Sequence, residues 1–82
     1  MSVVPMLRAR ELIKALLKAG FRIIRQTGSH IRLSHRADPT RETSVPQHPG
    51  NLPRWLLSAI LKQARMLIKE LRKLLGKKIN WR

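Results

Sequence analysis

The sequence predicts an α+β fold in which a helix is followed by three antiparallel strands and an extended C-terminal helix. Two stretches have apolar residues at helical spacing, and between them apolar and polar residues alternate and turn residues recur. At 82 residues the chain, 1–82, is expected to form a single domain. Two amphipathic helices can bury their apolar stripes only by covering one face of the sheet, which leaves the other face open.

The first helix is predicted over residues 9–19, after an extended lead-in over residues 1–6. Its apolar residues recur at i, i+1, i+4 and i+5, and Gly20 stands where a left-handed C-terminal cap would lie. The apolar side is formed by Leu12, Ile13, Leu16 and Leu17, and the basic side by Arg10, Lys14 and Lys18.

The middle segment is predicted to form a three-stranded meander. Residues 21–26 and 29–35 flank a turn at Thr27 and Gly28, and a third strand over residues 42–45 ends at a proline. Alternation in the second strand places Ile31 and Leu33 on the face that the helices cover. Its other face presents His30, Arg32 and Ser34.

The last helix is predicted as one continuous helix over residues 54–75. Its apolar positions all fall within an arc of about 140°, and the phase does not slip before Gly76. Such a helix is about 33 Å long, whereas a strand of five or six residues spans about 17–20 Å. We therefore expect a core over residues 9–65 and a helical extension over residues 66–76 that overhangs the sheet.

An overhanging apolar stripe on a small protein indicates an interface. The extension is thus expected to contact a second copy, giving a homo-oligomer through the C-terminal helix, or a partner protein. A basic tail over residues 77–82 follows the extension.

The charge balance points to a polyanionic partner. The chain has 18 Lys and Arg against 4 Asp and Glu, a net charge of +14, and both halves are basic. Nucleic acid is the first partner to consider, and an acidic protein or an anionic membrane is the second. The chain has no cysteine, which excludes disulfides and thiolate metal sites. Without a signal peptide or an apolar run of about 18 residues, a cytoplasmic location and no membrane partner are expected.

Three histidines and a tryptophan are candidate functional residues. His30 is either a solvated strand residue or a group that moves a proton at neutral pH. His48 lies in a loop and is either a surface residue or a second proton carrier, whereas nothing suggests a role for His35. Trp55 falls on the charged side of the last helix, and we expect it to pack against the loop at His48 rather than to be an exposed stacking platform.

Two other kinds of site are disfavoured by the pattern. The scattered acids and histidines lack metal-ligand spacing, so neither a metal nor another cofactor is expected. Ser29 and His30 do not form a nucleophilic pair, because adjacent strand residues face opposite sides. Gly28 is a turn residue that requires a positive φ.

Four separated segments together resemble the HicA family of toxins, the ribonuclease half of HicAB toxin–antitoxin modules. The resemblance covers about residues 9–65. Its segments are KAGFRIIRQTGSH at 18–30, VPQH at 45–48, LP at 52–53 and ILKQA at 60–64.

The resemblance implies a fold like that of double-stranded-RNA-binding domains and cleavage of mRNA, with His30 as the catalytic residue. It also implies a HicB-type antitoxin that covers this site. The family usually has glycine at the positions of Trp55 and Arg65, and the second glycine ends the helix. In this sequence Arg65 and the unbroken apolar phase favour a helix that continues. The alternative is a helix that breaks near Arg65 and folds back onto its own domain, as the family pattern implies.

Together these observations predict a metal-independent endoribonuclease toxin in which His30 is the general base or acid. Arg25 and Arg32 would hold the phosphate, and Gly28 and Ser29 would complete the RNA-binding residues. The second proton carrier is His48, a second subunit or water. The alternatives are a non-catalytic double-stranded-RNA-binding module and a basic helix that lies on a membrane surface.

Overall fold

A computed structural model describes residues 6–76, so the first five residues of the predicted lead-in and the predicted basic tail lie outside the described residues. Within this range the strands form one antiparallel sheet in the order β1-β2-β3. The predicted α+β meander with flanking helices is confirmed, and it is consistent with a fold like that of double-stranded-RNA-binding domains. The elements are α1 (Ala9–Lys18), β1 (Phe21–Thr27), β2 (His30–His35), β3 (Glu42–Pro46), α2 (Arg54–Ala64) and α3 (Ile68–Leu75).

The core lies between the sheet and the first two helices. α1 packs against β1 and β3, and α2 packs against β3, so both cover the same face of the sheet as predicted. A partly buried hydrogen bond joins the layers, because the Thr43 hydroxyl of β3 donates to Oε1 of Gln63 in α2 at 2.8 Å. The largest fully buried side chains are Leu7, Leu12, Leu16, Phe21, Leu33, Val45, Leu57, Ile60 and Leu71.

The junction between α1 and β1 is fixed by His35. Its Nδ1 accepts the N–H of Ala37 at 3.1 Å, so Nε2 bears the hydrogen that is donated to the carbonyl of Ala19, also at 3.1 Å. Gly20 has a φ of +103°, and a Cβ there would lie 2.9 Å from Nε2 of His35. Close approach and backbone conformation therefore both require glycine at this cap. His35 has a structural role that the sequence did not indicate.

The final helix is not continuous, and that prediction is wrong. α2 ends at Ala64, Arg65 adopts a left-handed conformation with φ 53° and ψ 44°, and α3 follows from Ile68. α3 folds back onto α1, where the Lys18 ammonium donates to the carbonyl of Leu74 at 3.5 Å. A helical extension after residue 66 is thus present, but it packs on its own domain.

The apolar stripe of α3 is consequently covered within the chain. Leu71 is 0% exposed, and Ile68, Leu74 and Leu75 are partly buried against the core. The expected overhang is wrong, because the break turns this stripe back onto α1. A homo-oligomer through the C-terminal helix therefore no longer follows from an exposed apolar stripe on α3.

The left-handed turn at Arg65 is stabilised by the loop between β2 and β3. Arg41 donates from Nε to the carbonyl of Ala64 at 2.8 Å and from Nη2 to the carbonyl of Arg65 at 3.4 Å. The Arg65 guanidinium in turn contacts the Thr40 hydroxyl and, at 3.5 Å, the carboxylate of Asp38. A hydrogen bond from the Thr40 side chain, together with Arg65, keeps the pKa of Asp38 below its usual value. These contacts offset the cost of a non-glycine residue in this conformation.

Comparing two substitutions at Arg65 isolates the backbone cost of this turn. Arg65→Gly and Arg65→Ala both remove the side-chain contacts, but only alanine must adopt a positive φ with a Cβ. We expect the glycine variant to be the more stable by about 1 kcal/mol in free energy of unfolding, measured by urea denaturation. If the alanine variant is as stable as or more stable than the glycine variant, Arg65 is not left-handed in solution.

Candidate functional site

The open face of the sheet has a cleft of about 290 Å³ with side chains from all three strands. The predicted residues Arg25, His30 and Arg32 line it together with Thr27 and Ser44. The structure therefore brings three of the predicted site residues together and adds two hydroxyl groups. His30 and Arg32 are both exposed, as the predicted alternation of β2 requires.

A tight turn holds the β1 and β2 strands at one end of the cleft. Thr27 pairs with His30, so Gly28 and Ser29 form a two-residue turn. Gly28 has a φ of +52° at the first central position, where glycine is favoured in type II′ turns. The Ser29 carbonyl accepts the N–H of Gln47, which links the turn to the loop after β3. Gly28 and Ser29 thus border the cleft rather than line it.

A β-bulge brings Arg25 to the open face. Ile23 pairs with Leu33, but Arg25 pairs with Arg32, so the register skips Ile24. Directly paired residues lie on the same face of a sheet. Ile23 therefore lies on the helix-covered face, and Arg25 lies on the open face beside Arg32. In a regular strand Arg25 would lie on the same face as Ile23 and would point toward the helices.

The other end of the open face is closed. Ser34 shares this face with His30 and Arg32, yet it is buried, and its hydroxyl donates to the carbonyl of Pro39 at 3.3 Å. The loop after β2 therefore covers the sheet at Ser34. The accessible part of the face is the part around His30, which is where the cleft lies.

The cleft is cationic, and one carboxylate adjoins it. Arg25 and Arg32 are directly paired across β1 and β2, and both line the cleft with His30, which suits an anionic ligand such as a phosphate. The Glu42 carboxylate lies 3.0 Å from Nε of Arg32, and both side chains are substantially exposed. An imidazole beside guanidinium groups can transfer a proton while the guanidinium groups stabilise negative charge on the ligand.

The structure places His48 apart from this cleft. His48 lines a second groove, of about 480 Å³, together with Arg10, Ile13 and Lys14 of α1. Its Nδ1 accepts the N–H of Gly50 at 3.3 Å. The candidate second proton carrier is therefore not among the residues that line the cleft with His30.

The structure also places Trp55 differently from the prediction. Its side chain is 72% exposed at the start of α2, so the expected packing against the loop at His48 is wrong. The charged side of α2 faces away from the core, and a ring at this position has no neighbouring layer to cover it.

Within residues 6–76, no group of three His, Cys, Asp or Glu side chains is placed to hold a metal ion. None of the helices in the same range is long and apolar enough to cross a membrane.

Comparison with known proteins identifies the family. A search of curated proteins gave no match to the chain. The profile of the family described as HicA toxin of bacterial toxin–antitoxin matches residues 9–66, more than two thirds of the chain. The matched region includes all five cleft residues and the left-handed turn after α2. The chain therefore belongs to the HicA family of toxins of bacterial toxin–antitoxin systems.

Proposed function

We propose that this toxin is an endoribonuclease that cleaves mRNA in the cytoplasm without a metal ion. The observation that supports the proposal is the cleft on the open face, which Arg25, His30 and Arg32 line together. A proton-transferring group beside two phosphate-binding groups suits cleavage of an RNA backbone by transesterification.

The chemistry uses the substrate's own nucleophile. The 2′-hydroxyl oxygen attacks the adjacent phosphorus, a P–O2′ bond forms, and the P–O5′ bond breaks. One proton leaves the 2′-hydroxyl and one proton is added to the departing O5′. The products are a 2′,3′-cyclic phosphate on one fragment and a 5′-hydroxyl on the other.

In this proposal each residue around the cleft has a distinct role. His30 transfers one of the two protons, and water transfers the other, because His48 lies in a different groove. Arg25 and Arg32 stabilise the charge that develops on the phosphate oxygens. The turn at Gly28 and Ser29 positions His30 and contacts the RNA backbone.

The antitoxin partner is proposed to be an acidic protein of the HicB type. A toxin with a net charge of +14 attracts such a protein over long distances. A partner that covers the cationic cleft would exclude RNA from His30. Covering the cleft would inhibit the toxin without any change in its fold.

Cleavage in a chelator distinguishes the proposal from a non-catalytic RNA-binding module. Structured and unstructured RNA are incubated with the pure protein in EDTA, and the products are separated by gel electrophoresis. The proposal expects fragments from unstructured RNA. Binding of both RNAs without fragments would favour the binding module.

Removing one arginine of the cleft should weaken RNA binding and its salt dependence. In Arg32→Ala the slope of log affinity against log salt should fall by about 0.7, the value for one phosphate contact on a single strand. Lys73→Ala is the matched control. Lys73 is exposed on α3, so this substitution also removes one positive charge, but at a position away from the sheet. Fluorescence anisotropy at several salt concentrations gives both slopes, and equal slopes for the two variants would exclude Arg32 from the phosphate contacts.

A further inference from the structure

Each of the four acidic residues has a defined contact, and all four lie in the described range. Glu11 accepts the N–H of Arg8 at the start of α1, and Glu70 accepts the N–H of Leu67 at the start of α3. Asp38 accepts the N–H of Thr40 within its turn and pairs with Arg65. These three carboxylates stabilise local backbone structure. Glu42 differs, because it contacts a side chain of the proposed site.

The ion pair of Glu42 crosses the open face diagonally. Arg32 pairs in the sheet with Ser44, and Glu42 pairs with Ser34, so the two charged residues lie on one face of neighbouring strands. Oε2 of Glu42 contacts Nε of Arg32 at 3.0 Å. A carboxylate at Nε fixes the plane of the guanidinium and leaves its two Nη groups to bind a phosphate.

Neither stability nor RNA affinity explains this carboxylate. The Arg32 side chain is 53% exposed and that of Glu42 is 38% exposed, and exposed ion pairs contribute little to the free energy of unfolding. Glu42 also lowers the positive potential beside the proposed phosphate site, which weakens binding of an anionic substrate. A carboxylate that adds little stability and weakens substrate binding can still raise the reaction rate if it orients a group that acts in the chemical step.

We propose that Glu42 is a positioning residue that holds the Arg32 guanidinium where charge develops on the phosphate in the transition state. This inference rests on the proposed ribonuclease function. Preorganised donors stabilise a transition state because they need not reorient during the reaction. Arg32 is thus oriented by its own ion pair before RNA binds.

Removing the carboxylate should lower both kcat and KM. A purely structural role for Glu42 would not lower KM. Glu42→Gln removes a negative charge beside the proposed phosphate site, so KM should fall about twofold to fivefold. The guanidinium is less well oriented, so kcat should fall about tenfold. Glutamine can still accept a hydrogen bond from Nε, whereas Glu42→Ala cannot, so kcat should decrease in the order Glu, Gln, Ala.

The experiment measures kcat and KM of the full chain on a fluorophore- and quencher-labelled RNA oligonucleotide. Gln26→Lys is the charge control, because it changes the net charge by the same amount at an exposed position of β1. Gln26 pairs with Ile31 and therefore lies on the opposite face from the ion pair, so this control should leave kcat unchanged. Unchanged kcat in both Glu42 variants, with cleavage by the wild type, would overturn the inference alone. A wild-type chain that does not cleave would overturn the proposed function and this inference with it.

Discussion

Replacing His30 by alanine should lower kcat for RNA cleavage about 10²- to 10⁴-fold, the usual contribution of a general acid or base. The imidazole is exposed on the open face and lines the cleft, so its removal leaves the core unchanged. Circular dichroism and RNA affinity should therefore stay close to those of the wild type. Single-turnover cleavage of a labelled RNA, at protein concentrations above the Kd, measures the chemical step directly.

His48→Ala is the matched control for this variant. It removes the same side chain from the neighbouring loop, outside the cleft. We expect it to cleave at close to the wild-type rate. An equal loss in both variants would identify His48 as the second proton carrier. Cleavage by His30→Ala at the wild-type rate would show that His30 is not the catalyst.

Leu71→Ala should lower the free energy of unfolding by about 2–5 kcal/mol, the range for a fully buried leucine. Leu71 is 0% exposed, and it belongs to the core cluster through the packing of α3 on α1. Small domains have only about 5–15 kcal/mol of stability in total. The variant should therefore unfold at a much lower urea concentration, followed by circular dichroism.

Leu67→Ala tests whether α3 folds back as described. Leu67 is four residues earlier but 62% exposed, so the same substitution should change stability by less than about 0.5 kcal/mol. If α3 instead projected from the domain, both leucines would be exposed. Similar small effects for the two variants, together with a change in oligomeric state by sedimentation, would contradict the packing of α3 on α1.

Most of the fold follows from hydrophobic periodicity, but the break after α2 does not. Ile68, Leu71 and Leu75 continue the angular phase of α2, so the apolar pattern alone gives no sign of two helices. The break depends on Arg41, which donates to the carbonyls of Ala64 and Arg65 from a loop 23 and 24 residues away. Long-range hydrogen bonds of this kind leave no local pattern in the sequence.

The candidate site shows the same division between local and non-local causes. Alternation within β2 places His30 and Arg32 on the open face, and Gly28 signals the turn beside them. The position of Arg25 depends instead on the register shift at Ile24, which is a property of two paired strands. The ion pair with Glu42 likewise requires the alignment of β2 with β3.

The chemistry of the cleaved ends shows whether the 2′-hydroxyl is the nucleophile. Unstructured RNA is cleaved with the wild-type protein in EDTA, and the fragments are analysed by mass spectrometry, with His30→Ala as the background control. Attack by the 2′-hydroxyl predicts fragments that end in a 2′,3′-cyclic phosphate and begin with a 5′-hydroxyl. Fragments with a 3′-hydroxyl and a 5′-phosphate, or the same fragments in equal yield from His30→Ala, would contradict the proposed mechanism.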